Sequence, residues 1–290
     1  MKMKMNMTVL AGALALAVAG QANATATDTI VNGGTFANDL VLSVWDTTAN
    51  TSYTGNLGVT MQSFLNGITF GGTAKVPAIS GASTQGNFSF SDATLTSFLA
   101  KTTDAYVWSV AAVSVPGIAY GTSGILSTTN SGTAAVANTT APNFTAAATV
   151  MNGTYLADVN TMLTAAPAGT ISITTPAGYA GAAYMGNSVA NGFAGAVPFT
   201  NTAALGASQS FYFVTPTQNS RGAYAGSTNL QFLNSTGAAA TWTLGTNGAL
   251  SYAVAAVPEP GEWLLMLSGL GLLGFIATRR RNNESSMTFA

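Results

Sequence analysis

Residues Thr241–Val254 read TWTLGTNGALSYAV. Trp242 and Leu244 alternate with threonine, and after a Gly/Asn-rich break Leu250, Tyr252 and Val254 alternate with serine and alanine. A period of two on both sides of a short turn marks an antiparallel hairpin. Two registers compete for it. A two-residue Asn247-Gly248 turn pairs Leu244 with Ser251 and splits the apolar face. A three-residue loop of Thr246, Asn247 and Gly248 pairs Leu244 with Leu250 and Trp242 with Tyr252. This second register keeps one face apolar and puts Gly248 at the left-handed position such loops use. It is the expected one.

Downstream the hairpin runs almost directly into Val257–Arg281, VPEPGEWLLMLSGLGLLGFIATRRR. Pro258 and Pro260 have fixed φ and no N–H, so a strand ends there and a stiff extended joint follows. Trp263–Thr278 carries no charge. As a helix these residues rise about 24 Å at 1.5 Å each, short of the roughly 30 Å of bilayer hydrocarbon unless Arg279 snorkels and the bilayer thins. Arg279, Arg280 and Arg281 follow, and the positive-inside rule places them in the cytoplasm with the upstream chain outside. A run apolar on every side and abutting an arginine cluster reads as a transmembrane helix rather than a core helix.

The tripeptide Pro258-Glu259-Pro260, the apolar run and the closing arginines together resemble a PEP-CTERM sorting signal, the tag read by exosortase in exopolysaccharide-producing Gram-negative bacteria. The resemblance implies that exosortase cuts near the tripeptide and releases or transfers the outer domain to the cell surface or matrix. One departure is the tail Asn282–Ala290, because such proteins usually stop soon after the arginines.

The N-terminus points the same way. Lys2 and Lys4 precede the apolar run Val9–Ala19, and Ala22-Asn23-Ala24 supplies a small-x-small cleavage site. These are the parts of a secretory signal peptide over residues 1–24, with a mature start near Thr25. The Sec translocon is therefore an expected partner. Four regions follow: the signal peptide, an extracytoplasmic domain over residues 25–257, the sorting signal over 258–281 and a short cytoplasmic tail over 282–290.

Composition narrows what the domain can do. The chain has no cysteine and no histidine. A Ser-His-Asp triad, a cysteine nucleophile and zinc sites built on His or Cys are thereby excluded. No Gly-rich phosphate loop occurs in a strand-turn-helix context, so nucleotide binding is not expected. Between residues 25 and 257 the acids are Asp28, Asp39, Asp46, Asp92, Asp104 and Asp158, and the bases are Lys75, Lys101 and Arg221, a net charge of −3. With no basic patch, nucleic acid is a poor partner. There is no Asp-x-Asp/Asn-x-Asp/Asn-Gly calcium loop, and neither a metal nor a cofactor is expected. Glycoside hydrolysis needs two carboxyls at a defined separation, and Asp39, Asp46, Asp92 and Asp104 are the candidates. Capping and turn-making are the ordinary roles of such aspartates.

The aromatics admit a sugar-binding reading. Trp45, Trp108 and Trp242 fall inside expected strands, where core packing is their usual role, whereas Tyr179, Tyr184 and Tyr224 lie in Gly-rich stretches and are better placed for exposed contact. Asn-x-Ser/Thr triplets, possible glycan acceptors, recur at Asn50, Asn87, Asn138, Asn143, Asn152 and Asn234.

Working back toward the N-terminus, Asn229–Leu233 and Ser210–Thr215 read as strands, as does Thr170–Thr175, closed by Pro176. Ala177–Gly195 is Gly/Ala-rich without a pattern. Thr154–Ala165 sets Leu156, Val159 and Leu163 on one helical stripe, while Gly117–Ala148 reads as a long loop or weak edge strands. Tyr106–Val115 is the longest apolar strand and should be central. Ser91 or Asp92 should cap a short helix after the strand Asn87–Ser91. Val59–Asn66 is ambiguous between strand and helix, Asn50–Gly58 reads as turn-rich, and Asp39–Asp46 is a strand buried on both faces.

The expected architecture is mainly β: an antiparallel β-sandwich-like domain with one or two short helices, flanked by the signal peptide and the transmembrane helix. The expected function is a non-catalytic cell-surface or extracellular-matrix structural protein, associated with exopolysaccharide or biofilm. The alternatives are an extracellular carbohydrate-binding module and an Asp-based glycoside hydrolase.

Overall fold

The computed structural model describes residues 29–101, 104–219, 221–233 and 237–254, together with Ser268. The signal peptide with Ala22 and Ala24, and the sorting residues Pro258, Glu259, Pro260, Arg279, Arg280 and Arg281, lie outside the described residues, as does the tail. Among the described residues no helix is long and apolar enough to cross a membrane.

The chain begins with two long paired strands, β1 (Asp39–Asp46) and β2 (Thr51–Thr60), then a short helix α1 (Met61–Leu65). A small separate hairpin follows, β3 (Thr69–Thr73) with β4 (Val76–Ser80). Next come β5 (Phe88–Phe90), α2 (Ala93–Phe98), β6 (Tyr106–Ser114) and β7 (Gly124–Thr129). The helical layer consists of α3 (Thr133–Ala137), α4 (Ala141–Ala148), a π-helical segment Thr149–Tyr155 and α5 (Leu156–Ala165). Then β8 (Ser172–Thr175), α6 (Met185–Ser188), α7 (Ala190–Gly195) and β9 (Ala203–Ala204) lead to the last four strands. These are β10 (Ser208–Gln218), β11 (Tyr224–Gln231), β12 (Thr241–Leu244) and β13 (Leu250–Ala253).

The fold is indeed mainly antiparallel β, but it does not separate into the two packed sheets of a sandwich. Eleven strands form one sheet in the order β5-β13-β12-β10-β7-β6-β1-β2-β8, with β11 beside β10 and β9 beside β6. The sheet is covered on both faces. On one face Leu40, Leu42, Val44, Trp108, Val110, Phe211, Phe213 and Trp242 join a core closed by Phe64 of α1 and by Phe70 of the β3–β4 hairpin. On the other, Val41, Ala111, Val113, Ile125 and Val214 pack against Phe144, Met151, Tyr155 and Val159 of the helical layer. Successive side chains of a strand point to opposite faces. That is why β1 and β6, placed between two cores, carry apolar residues on both faces.

The helical layer is larger than the one or two short helices expected. Residues 141–165 run on as α4, the π segment and α5, and the π turn brings both Met151 and Tyr155 onto the buried side. A single π turn shifts the phase of a helix by inserting one residue. Here it lets Asn152 donate to the Val113 carbonyl at 2.8 Å while Tyr155 reaches the sheet.

Three further expectations are corrected. Residues 50–58, read as turn-rich, mostly belong to β2. Tyr53 and Leu57 of β2 face one core, while Ser52, Thr54 and Asn56 face the helical layer and are equally buried. Their polar groups are satisfied there: Thr54 Oγ1 lies 2.5 Å from the Tyr155 hydroxyl, and Ser52 Oγ lies 2.7 Å from Thr175 Oγ1. The patternless stretch from Gly117 contains β7, a buried inner strand between β6 and β10 rather than an edge strand, and then α3 and α4. Ala177–Gly195 contains α6 and α7.

The end of α7 is unusual. Gly192, Phe193, Ala194 and Gly195 have φ of 76°, 53°, 55° and 84°, a left-handed turn with two non-glycine members. Phe193 is anchored in the core, and Asn201 clasps the turn by accepting from Gly192 N and donating to the Val189 carbonyl. Ala194 is exposed and has no such compensation. Ala194→Gly should therefore raise stability by about 0.5–1 kcal/mol, relief of the left-handed penalty outweighing glycine's added freedom in the unfolded chain. The unfolding midpoint in denaturant checks this.

The β12–β13 hairpin forms in the expected register, with Leu244 opposite Leu250 and Trp242 opposite Tyr252. Gly248 sits at φ 80°.

Candidate functional site

Chemistry in this chain has to come from carboxylates, hydroxyls, amides and aromatic rings. The four aspartates expected as catalytic candidates, Asp39, Asp46, Asp92 and Asp104, are each engaged within the fold, as is Asp158. Asp46 Oδ1 accepts from the N–H groups of Thr48 and Ala49 in the β1–β2 turn, at 2.9 and 2.8 Å. Asp39 Oδ2 accepts from Val31 N and Asn56 Nδ2, both at 2.9 Å. Asp104 lies 4.0 Å from the Lys101 ammonium. Asp158 accepts from the Tyr179 hydroxyl and from Ala183 N.

Asp92 does most. It caps α2 by accepting from Thr94 N at 3.2 Å, and its Oδ2 takes hydrogen bonds from the Tyr53 hydroxyl at 2.8 Å and Ser172 Oγ at 2.7 Å. It lies two residues after the edge strand β5, whereas Tyr53 and Ser172 belong to β2 and β8 at the opposite end of the sheet. One carboxylate thus ties the two ends together, and the sheet must curl to allow it. Burial first, and then the Asp92 charge, raises the Tyr53 phenol well above its usual value of 10, so it stays a neutral donor.

Asp39 carries a titration consequence. Burial pushes its pKa above the usual 3.8, and the bonds from Val31 and Asn56 oppose this. A raised folded-state pKa means that stability from this group is fully present below the unfolded value and is lost as pH rises through the folded value. Asp39→Asn, which keeps an acceptor oxygen, should remove that dependence. Thermal midpoints of the parent should gain on those of the variant as pH falls from 7 to about 4.

The aromatic residues are largely consumed by the fold. Trp108 and Trp242 are fully buried. Trp45 is half-buried, donates Nε1–H to the Tyr184 hydroxyl at 2.6 Å, and meets that ring edge-on with centroids 6.2 Å apart. Tyr184 in turn donates to Asn50 Oδ1, and Tyr224 donates to the Thr139 carbonyl. Tyr179, Tyr184 and Tyr224, expected to be exposed, are each half-buried with a bonded hydroxyl. Tyr155, missed in the sequence, is buried with its phenol pushed up to about 12. Only its neighbours across the sheet, Ser43 and Thr54, explain why a tyrosine stands there.

Two open clefts meet at Lys101. One, about 600 Å³, is lined by Asp104, Tyr106, Leu205 and Thr246. The other, about 340 Å³, is lined by Thr51, Thr94, Phe98 and Thr174. Neither places a nucleophile against a base. Among the described residues no three carboxylates, histidines or cysteines gather as a metal site would need.

The body's last strand, β13, ends at Ala253. Residues 256–281 match the family model for the PEP-CTERM protein-sorting motif. The chain carries a PEP-CTERM sorting signal. The matched range contains Pro258-Glu259-Pro260 and Arg279–Arg281, and it begins three residues after β13. A PEP-CTERM motif implies export, a membrane-anchored sorting signal and exosortase as the processing partner. No curated protein and no solved structure matches the chain.

Proposed function

We propose that this is a non-catalytic structural protein of the cell surface or extracellular matrix, delivered by its signal peptide, held briefly by the C-terminal helix and processed by exosortase near Pro258-Glu259-Pro260. The observation that carries this reading is the PEP-CTERM match immediately after the last strand of the body. The body supports it in a second way, since its described aspartates and most of its tyrosines are bonded within the fold. The near-uncharged, hydroxyl- and amide-rich composition suits a packed, polysaccharide-rich setting, because few fixed charges must be neutralised there.

Replacing Pro258, Glu259 and Pro260 together by alanine tests it. The variant should remain in the inner-membrane fraction while the parent reaches the surface fraction, both followed by immunoblot. Equal surface delivery of the two would overturn the processing step. A carbohydrate-binding role is the second reading, favoured by the half-buried Trp45–Tyr184 pair beside Asn50. It requires saturable binding of the host's own polymer, and a flat pull-down removes it.

A further inference from the structure

Strand β11 pairs with β10 and, among the described residues, with no other strand. Its side chains are largely half-buried, covered by α3 and α4 on one face and by β4 on the other. Among the described residues nothing pairs with its outer row of backbone N–H and C=O groups. Folded proteins usually blunt such an edge with lysine, proline or an inward charge. The strand reads YAGSTNLQ and carries none of these.

Both ends of this edge are apolar. Of the three large hydrophobic side chains exposed among the described residues, Val76 and Leu233 flank β11. Val76 opens β4, close to the start of β11: the adjoining Ala74 carbonyl accepts from Gln218 N, and Gln218 pairs with Tyr224. Leu233 lies just past the other end, Gln231. About 25 Å of strand lies between them at 3.3 Å per residue.

We propose that β11 is a docking edge for a second copy of this chain, paired antiparallel about a two-fold axis. In that arrangement the start of one β11 lies beside the end of the other. Val76 of each copy then meets Leu233 of its partner, so the two exposed apolar groups cover one another twice. An isologous contact of this kind needs one self-complementary patch. The strand itself carries no charge, and the nearby cations Lys75 and Arg221 both lie at its start, so an antiparallel two-fold sets them beside the other copy's uncharged end rather than against one another. Two curled sheets would merge into one continuous sheet, a suitable joint for a matrix component. The inference does not depend on how the C-terminus is processed.

The absence of cysteine makes the test clean. The full chain in mild detergent carrying both Val76→Cys and Leu233→Cys should run as a covalent dimer after mild oxidation. Within one copy the two thiols stand far beyond the roughly 7 Å Cα limit for a disulfide, so that bridge can only join two copies. Each single-cysteine variant should give about tenfold less dimer. As a second measurement, Val76→Lys alone should weaken association about tenfold, and adding Leu233→Glu should restore it by charge pairing across the axis. No covalent dimer, single variants that cross-link as well as the double, or a failure of Leu233→Glu to rescue would each overturn the proposal.

Discussion

Trp242→Ala is expected to lower the stability of the body by about 3–5 kcal/mol, the range for removing a large aromatic from a packed core. Trp242 is fully buried, and its ring lies 5.1 to 5.9 Å from those of Tyr252, Phe88, Phe211 and Phe64. It therefore joins β12, β13, β5, β10 and α1. Trp242→Phe discriminates between area and polarity. The indole Nε1 is buried with no hydrogen-bond partner among the described residues, and an unmet buried donor costs about 1–3 kcal/mol. Phenylalanine removes that cost while giving up part of the packing, so it should lose less than about 1.5 kcal/mol. Urea unfolding of the three proteins checks the order; a phenylalanine variant as weak as the alanine variant would refute the reading.

Asp92→Ala should be the most damaging change to any carboxylate in the body, at about 2–4 kcal/mol. It removes a helix cap and leaves the buried Tyr53 hydroxyl and Ser172 without their shared acceptor. Asp92→Asn keeps one acceptor oxygen and should lose about half as much. The effect should be spatially specific. Amide exchange should rise first in β8 and β5, the two ends that Asp92 ties together, while β6 and β7 in the middle stay protected. Uniform loss of protection would mean that the tie does not hold the sheet's curl.

These two residues also show where the fold is legible in the sequence. The β12–β13 hairpin can be read to the register because only one pairing keeps Trp242, Leu244, Leu250 and Tyr252 on one face. β1 and β6 are legible because two cores make most of their positions on both faces apolar. β2 and β7 are not, since Thr54 or Thr128 looks solvent-facing until Tyr155, or the Val110 amide and the Asn201 carbonyl, is brought beside it. The Asp92 cap can be read locally, but its bonds to Tyr53 and Ser172 span 39 and 80 residues, and no local pattern encodes them. The functional signal is the reverse case. The PEP-CTERM motif is local and ordered along the chain, so it is readable without any tertiary structure.

The most direct measurement is the intact mass of the protein recovered from the cell-surface fraction. An export-and-sorting pathway predicts a chain that starts near Thr25 and lacks Trp263–Ala290, plus any glycan attached to it. A surface form that still carries Trp263–Ala290 would contradict exosortase processing and leave a plain membrane anchor in its place.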